Sequence, residues 1–228
     1  MPADGLEIRG PARALLDDPL LLRLRGAGGA SAAWRARFRD DDGRVWRATA
    51  PRAEELPGAW TPAKPALGPL AALRSLRPIE LEVRAEVPDG RAATRTLTQV
   101  LMGDGVRLRR WRDGRLSATL HLPGEASGAT VLLDATGDDD AAAAATLAAP
   151  LLASRGVVVL ALAAGPLEVA SERLAAVPGA AAAPEVVRAG LVPPGVATRD
   201  PQDHDARAAA WDELLARLGA RPRSAGSA

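Results

Sequence analysis

Apolar and polar positions change period along the chain, and the change divides it. In the first half the period is two. Trp34, Ala36 and Phe38 alternate with Arg35, Arg37 and Arg39, and Ile79, Leu81, Val83, Ala85 and Val87 alternate with Glu80, Glu82, Arg84 and Glu86. That is the pattern of strands with one buried face. Residues 20–25, 44–49 and 91–101 read as further strands, and Asp42-Gly43 and Pro88-Asp89-Gly90 read as turns between them. Short alternating strands separated by turns predict an antiparallel β-sandwich. Residues 67–76 interrupt the pattern as a short helix or loop, and residues 1–18 have few apolar anchors.

Beyond a boundary near residues 101–105 the period changes. Asp113-Gly114 is a dipeptide suited to a tight type I′ hairpin turn, and Leu116, Ala118, Leu120 and Leu122 alternate with Ser117, Thr119 and His121 after it. Residues 130–133 and 157–162 are continuous apolar runs, as in strands buried on both faces. Residues 141–153 between them are rich in alanine and leucine and helix-prone. Strand, helix and strand at this spacing predict a crossover unit of a parallel sheet. Pro166 opens a helix with the apolar stripe Leu167, Ala170 and Leu174, and Pro178-Gly179 ends it. In residues 203–218, Trp211, Leu214, Leu215 and Leu218 share one helical face, with Gly219 placed to cap it. The predicted fold class is therefore mixed β and α/β. Residues 1–104 form one domain, residues 105–220 a second, and residues 221–228 a disordered tail.

Composition narrows the partners. A chain of 228 residues with net charge +1 has no general attraction for nucleic acid or membrane. Arginine supplies nearly all the positive charge, with Lys64 the only lysine, which fits a gene of high G+C content. With no cysteine there is no disulfide, thiolate metal site or cysteine nucleophile. Neither a signal-peptide core nor a membrane-length apolar run is present, so a soluble cytoplasmic protein is expected.

The order of elements in the second domain is that in which an α/β-hydrolase domain begins. Residues 103–110, 113–124 and 151–163 more narrowly resemble the acyl-CoA thioester hydrolase / bile acid-CoA:amino acid N-acyltransferase family. There a "DGVRR…GR…TLFLPPG" hairpin precedes a glycine-rich turn, and a helix ending "LLA…G" leads into "VLALAY". Trp34, Ala36, Phe38, Asp40, Gly43 and Val45 resemble that family's "W.A.F.D..G.V" element. Residues 68–78 correspond loosely to its "GL.WSM.P", and residues 167–179, 188–194 and 203–218 resemble its later segments. The resemblance implies an immunoglobulin-like β-sandwich ahead of a truncated α/β-hydrolase-like domain. It also implies an internal deletion between Gly179 and about Glu185.

By the resemblance, the elbow and the acid fall in the missing stretch, and the base and oxyanion positions are replaced. A hydrolase of that fold needs a serine or cysteine on a G-x-S-x-G elbow, a histidine base, an acid and backbone donors for the oxyanion. The serines of the second half, Ser117, Ser127, Ser154, Ser171, Ser224 and Ser227, all lie outside such a motif. Ser154 belongs to a helix-to-strand turn and Ser171 to a helix, where a solvated hydroxyl is the ordinary outcome. By the resemblance, the base position is Leu191 and the acid has no counterpart. The glycine run of the oxyanion turn is replaced by Gly137-Asp138-Asp139-Asp140, whose carboxylates repel an anion. Three adjacent aspartates suit either a cation or, as favoured here, a solvated loop at a helix N-terminus. His121 is expected to pack or be exposed on its strand. Asp203-His204-Asp205 is read as a helix start in which Asp203 or Asp205 caps and adjacent side chains do not face one another. Arg35, Arg37, Arg39, Arg107, Arg109 and Arg110 are read as solvated sheet faces balanced by interleaved acids.

These readings predict a catalytically inactive paralogue acting as a binding or interaction remnant, with no catalytic residue, metal or cofactor. The alternative is an active acyl-CoA thioester hydrolase or acyltransferase using substitute residues, and a third reading is a decaying gene product. By analogy with α/β-hydrolases, whose elbow strand has no counterpart here, an open sheet edge is expected at Thr130 through Ala135. Either the short segment 185–188 folds back on that edge, or, as expected here, a second copy or protein partner pairs with it. Neither nucleic acid nor membrane is expected as a partner.

Overall fold

The computed structural model describes residues 5–63, 73, 76–137, 139–188, 192–198 and 204–223. The chain forms two compact units. The first contains Met1–Val100, Pro194–Asp205 and Ser224–Ala228, and the second contains Leu101–Pro193 and Ala206–Arg223. The segment after Pro193 thus returns to the first unit.

The first unit contains β1 (Glu7–Arg9), β2 (Arg13–Leu15), β3 (Arg23–Arg25), β4 (Ala33–Arg39), β5 (Val45–Ala50), β6 (Thr61–Pro62), β7 (Ile79–Glu86) and β8 (Ala92–Val100). Six of them form one sheet in the order β2-β8-β7-β4-β5-β6, and β1 pairs with β3. The sheet is antiparallel except that β2 runs parallel to β8. Alternation decides which face is buried. Trp34, Ala36, Phe38, Trp46, Ala48, Leu81, Val83 and Ala85 are all buried. The expected strand at 20–25 is shorter, because Leu20 and Leu22 are drawn into the core before β3 begins. A 3-10 helix, Ala53–Gly58, that the periodicity did not suggest buries Leu56. The expected helix or loop at 67–76 lies largely outside the described residues.

Aromatic packing anchors this unit. The Trp46 and Phe38 rings stack at 6.4 Å with an interplanar angle of 7°, and Trp60 meets Phe38 edge-on at 4.9 Å. The Trp46 indole N–H donates to the buried Asp40 carboxylate at 3.0 Å, and Asp40 also accepts from the Arg44 and Asp42 amides. One side chain thus holds the β4–β5 turn and satisfies the buried indole.

The second unit contains β9 (Arg107–Asp113), β10 (Leu116–Leu122), β11 (Thr130–Asp134), α1 (Asp139–Ser154), β12 (Val158–Ala164), α2 (Leu167–Ala175), β13 (Glu185–Arg188) and α3 (His204–Arg217), whose first residues belong to the first unit. Its five-stranded sheet runs β13-β11-β12-β10-β9. β11 is parallel to both β12 and β13, and β10 is antiparallel to β12 and β9. Leu116, Ala118, Leu120, Leu132, Val158, Leu160 and Leu162 form a core with Ala170 and Leu174 of α2. The alternate positions Val131, Leu133 and Val159 are also buried, and α1 packs against β10, β11 and β12. Both faces are therefore covered, as the continuous apolar runs require.

Three local expectations need correction. The hairpin loop is Gly114-Arg115, because Asp113 pairs with Leu116 as the last residue of β9. No type I′ turn forms, since neither loop residue has a positive φ. Instead the Asp113 carboxylate accepts from the Arg115 and Leu116 amides at 2.9 and 3.0 Å. Second, β11 has no open edge: β13 pairs with it from Val131↔Glu185 to Asp134↔Arg188. Four residues suffice, with Arg217 of α3 paired to Glu185 at 2.6 Å and the Ala181 amide bonded to the Thr130 hydroxyl at 2.7 Å. Third, residues 1–18, expected to have few anchors, supply β1 and β2, and β2 joins an otherwise antiparallel sheet in parallel with β8. The Gly219 cap forms as expected, with Ala220 N–H bonded to Leu215 C=O and Gly219 N–H to Ala216 C=O.

Gly165 turns the chain from β12 toward α2 at φ +120°, and a Cβ there would overlap the Arg115 carbonyl oxygen. Gly165→Ala is expected to lower stability by about 1–3 kcal/mol through strain and overpacking. Urea denaturation of the two proteins measures it, and an unchanged midpoint would contradict this tight approach.

Candidate functional site

In open α/β sheets the usual ligand position is at the carboxyl ends of the parallel strands. Here that end carries Asp134 and the turn into α1. The Asp134 carboxylate accepts from the Thr136 hydroxyl at 2.6 Å and from its amide at 3.1 Å, and these bonds hold its pKa below the ordinary carboxylate range. Asp139 and Asp140 lie exposed in the first turn of α1, where their charge complements the helix N-terminus. Asp138 lies outside the described residues. This end therefore presents carboxylates, an arrangement unsuited to a developing oxyanion.

The serines are engaged elsewhere. The Ser154 hydroxyl donates to Pro150 C=O at 2.7 Å and accepts from Gly103 N–H at 2.7 Å. Ser127 donates to Gly156 C=O at 3.1 Å. Ser117 and Ser171 are half-buried on β10 and α2, and Ser224 and Ser227 lie outside the described residues. Among the described residues no serine hydroxyl hydrogen-bonds to a histidine. Leu191, the position expected for the lost base, is also outside them.

His121 packs rather than being exposed. It is 5% exposed, its Nδ1 lacks a hydrogen-bond partner, and burial lowers its pKa to about 4. It is a neutral imidazole in the core. His204 corrects the expectation that its neighbours point away: its Nδ1 lies 3.2 Å from the exposed Asp205 carboxylate. Its ring packs at Gly58, where a Cβ would stand 3.3 Å from it. Asp203 is outside the described residues, and no three His, Asp or Glu side chains gather as a metal site among those described.

The arginines separate into two kinds. On β4, Arg37 pairs with Glu82 at 2.8 Å, Arg35 approaches Glu86 at 4.0 Å, and Arg39 donates to Gly43 C=O at 2.6 Å. That is a balanced, solvated face. On β9 the expected balance is absent. The side chains of Arg107, Arg109, Arg110 and Arg112 have no hydrogen-bond or ion-pair partner among the described residues. The reason lies in the register. Arg107, Arg109, Arg110 and Arg112 stand opposite Leu122, Leu120, Thr119 and Ser117 of β10, which offers no acid.

These residues border a cleft of about 820 Å³. Alternation and pairing put Arg107, Arg109 and Trp111 on the same face as Leu122, Leu120 and Ala118, the face that packs on α2. Leu120, Leu122, Val158 and Val177 form the apolar floor, and the turn Ala176–Gly179 closes one side. Arg173 of α2 reaches back to Asp113. Hydrogen bonds from the Arg115 amide first, then from Arg173, hold the Asp113 pKa below its ordinary value. Asp113, the one acid among the described residues that line the cleft, is thus already occupied. The cleft was legible in part: Arg-Leu-Arg-Arg-Trp-Arg facing the acid-free Leu-Ser-Ala-Thr-Leu-His-Leu was the available signal.

No protein-family model and no curated protein matches the chain. Among the described residues no helix is long and apolar enough to cross a membrane.

Proposed function

We propose that this chain is a ligand-binding protein on a thioesterase/acyltransferase-like scaffold, with an immunoglobulin-like first unit and a shortened α/β-hydrolase-like second unit. Supporting this descent are the β9–β10 hairpin, the parallel β11–α1–β12 unit and the sequence likeness of those segments to the acyl-CoA thioesterase and acyltransferase family. The observation that carries the non-catalytic part is the state of Ser154. Its proton and a lone pair are both committed to backbone groups, Pro150 C=O and Gly103 N–H, so the hydroxyl serves to tie the end of α1 to the chain entering the unit. A nucleophilic serine instead needs its proton directed at a base.

Release of free thiol from short-chain and long-chain acyl-CoA tests the reading. No release above buffer is expected. Saturable turnover that is lost in Ser154→Ala or Ser171→Ala would overturn it in favour of an active thioester hydrolase.

A further inference from the structure

We propose that the β9–α2 cleft binds a small organic phosphate, with the phosphate held by Arg107 and Arg109 and the organic body lying against Trp111 and the apolar floor. The inference deepens the binding reading above by naming the ligand class and the site.

The charge comes first. Arg107 and Arg109 project from one face of an edge strand, two residues apart and so about 7 Å apart along it. Neither has an acidic partner among the described residues, and Asp113, the one carboxylate among the described lining residues, is spent on Arg173 and the hairpin amides. A single carboxylate ligand is satisfied by one guanidinium fork. Two unneutralised forks on one strand face suit a group of higher charge with more acceptor oxygens. A phosphate monoester supplies both, carrying a charge of roughly −1.5 to −2 and three acceptor oxygens.

The shape of the cleft decides the rest of the ligand. About 820 Å³ is far more than a phosphate fills, and lies within the range of small-molecule sites. Leu120, Leu122 and Val177 have no hydrogen bonds to offer, and Trp111 is half-buried with its ring on the same face as the two arginines. That surface favours a planar or aliphatic body joined to the phosphate. The C-terminal turn of α2 carries partial negative charge, which places the phosphate on the strand side of the cleft and the body toward the helix. The Arg173–Asp113 pair limits the cleft at the hairpin, so a bounded small molecule fits better than a continuous polymer.

The site also has a defined place in the fold. Gly124, Ala126 and Val158 lie where β12 begins, so the cleft opens at the amino end of the parallel strands. It is therefore separate from the carboxyl-end turn that carries Asp134, Asp139 and Asp140.

Calorimetric titration of the full chain at low ionic strength tests the proposal with adenosine 5′-monophosphate, octyl phosphate and inorganic phosphate. At least one organic phosphate is expected to bind about tenfold or more tighter than inorganic phosphate. Arg107→Gln and Arg109→Gln are each expected to weaken that binding by about tenfold or more. Arg37→Gln, which alters an ion-paired arginine of β4, should leave it unchanged. Tighter binding of the adenosine compound, weakened by Trp111→Leu, identifies a planar body; tighter binding of octyl phosphate identifies an aliphatic one. The proposal is overturned if no organic phosphate binds, if all three bind equally weakly, or if the β9 variants bind as well as wild type. Thioester turnover would overturn the non-catalytic reading and leave these titrations standing, so the two failures are distinguishable.

Discussion

Trp46→Ala is expected to destabilise the first unit by about 3–5 kcal/mol, the range for truncating a large aromatic in a packed core. Trp46 is fully buried, stacks on Phe38 and gives its indole N–H to Asp40. The substitution opens a cavity beside Phe38 and removes one of the hydrogen bonds of a buried carboxylate. Trp46→Phe should cost less, because it keeps a ring on Phe38 and loses mainly the bond to Asp40. Chemical denaturation followed by far-ultraviolet circular dichroism reads the shift in the transition. A change below about 1 kcal/mol for the alanine variant would mean that the aromatic cluster is not the anchor of this unit.

His121→Phe is expected to remove a dependence of stability on pH. In the folded chain the imidazole is buried without an Nδ1 partner and its pKa is lowered to about 4, against an ordinary value of 6.5. Below pH 6.5 the unfolded chain takes up a proton that the folded chain refuses, so stability falls as the pH drops. The loss accumulates down to about pH 4 and amounts to roughly 3 kcal/mol at most, after which folded and unfolded chains are both protonated. Phenylalanine has similar volume and no buried nitrogen. The variant should match or exceed wild type at pH 7.5, and the gap should widen by about 2–3 kcal/mol at pH 4.5. Denaturation midpoints across this range measure it, and parallel curves for the two proteins would show that His121 is not the group responsible.

Patterning carried most of the fold because both of its periods were clean. The alternation in β4 and β7 marked their buried faces, and the apolar runs of β11 and β12 marked strands covered on both sides. Edges and ends were less legible. Asp113-Gly114 has the composition of a turn pair, yet the aspartate is the last strand residue and its carboxylate accepts from the Arg115 and Leu116 amides. The segment 185–188 was too short to carry a period, and its place beside β11 is set by partners distant in sequence, Thr130 and Arg217. The site was the least legible part. Arginine strands look alike in sequence whether or not an acid stands opposite, and only the register separates Arg37, beside Glu82, from Arg109, beside Leu120.

The measurement that tests the account most directly is where a bound phosphate ester perturbs the amides of the isotopically labelled chain. With octyl phosphate or adenosine 5′-monophosphate added, amide shifts are expected in β9 from Arg107 to Asp113, in Leu120 and Leu122 of β10, and at Val177 and Gly179 beside α2. Shifts centred instead on Ser154 and the turn between Asp134 and Asp140, with β9 unmoved, would contradict the claim that this unit works through its arginine cleft.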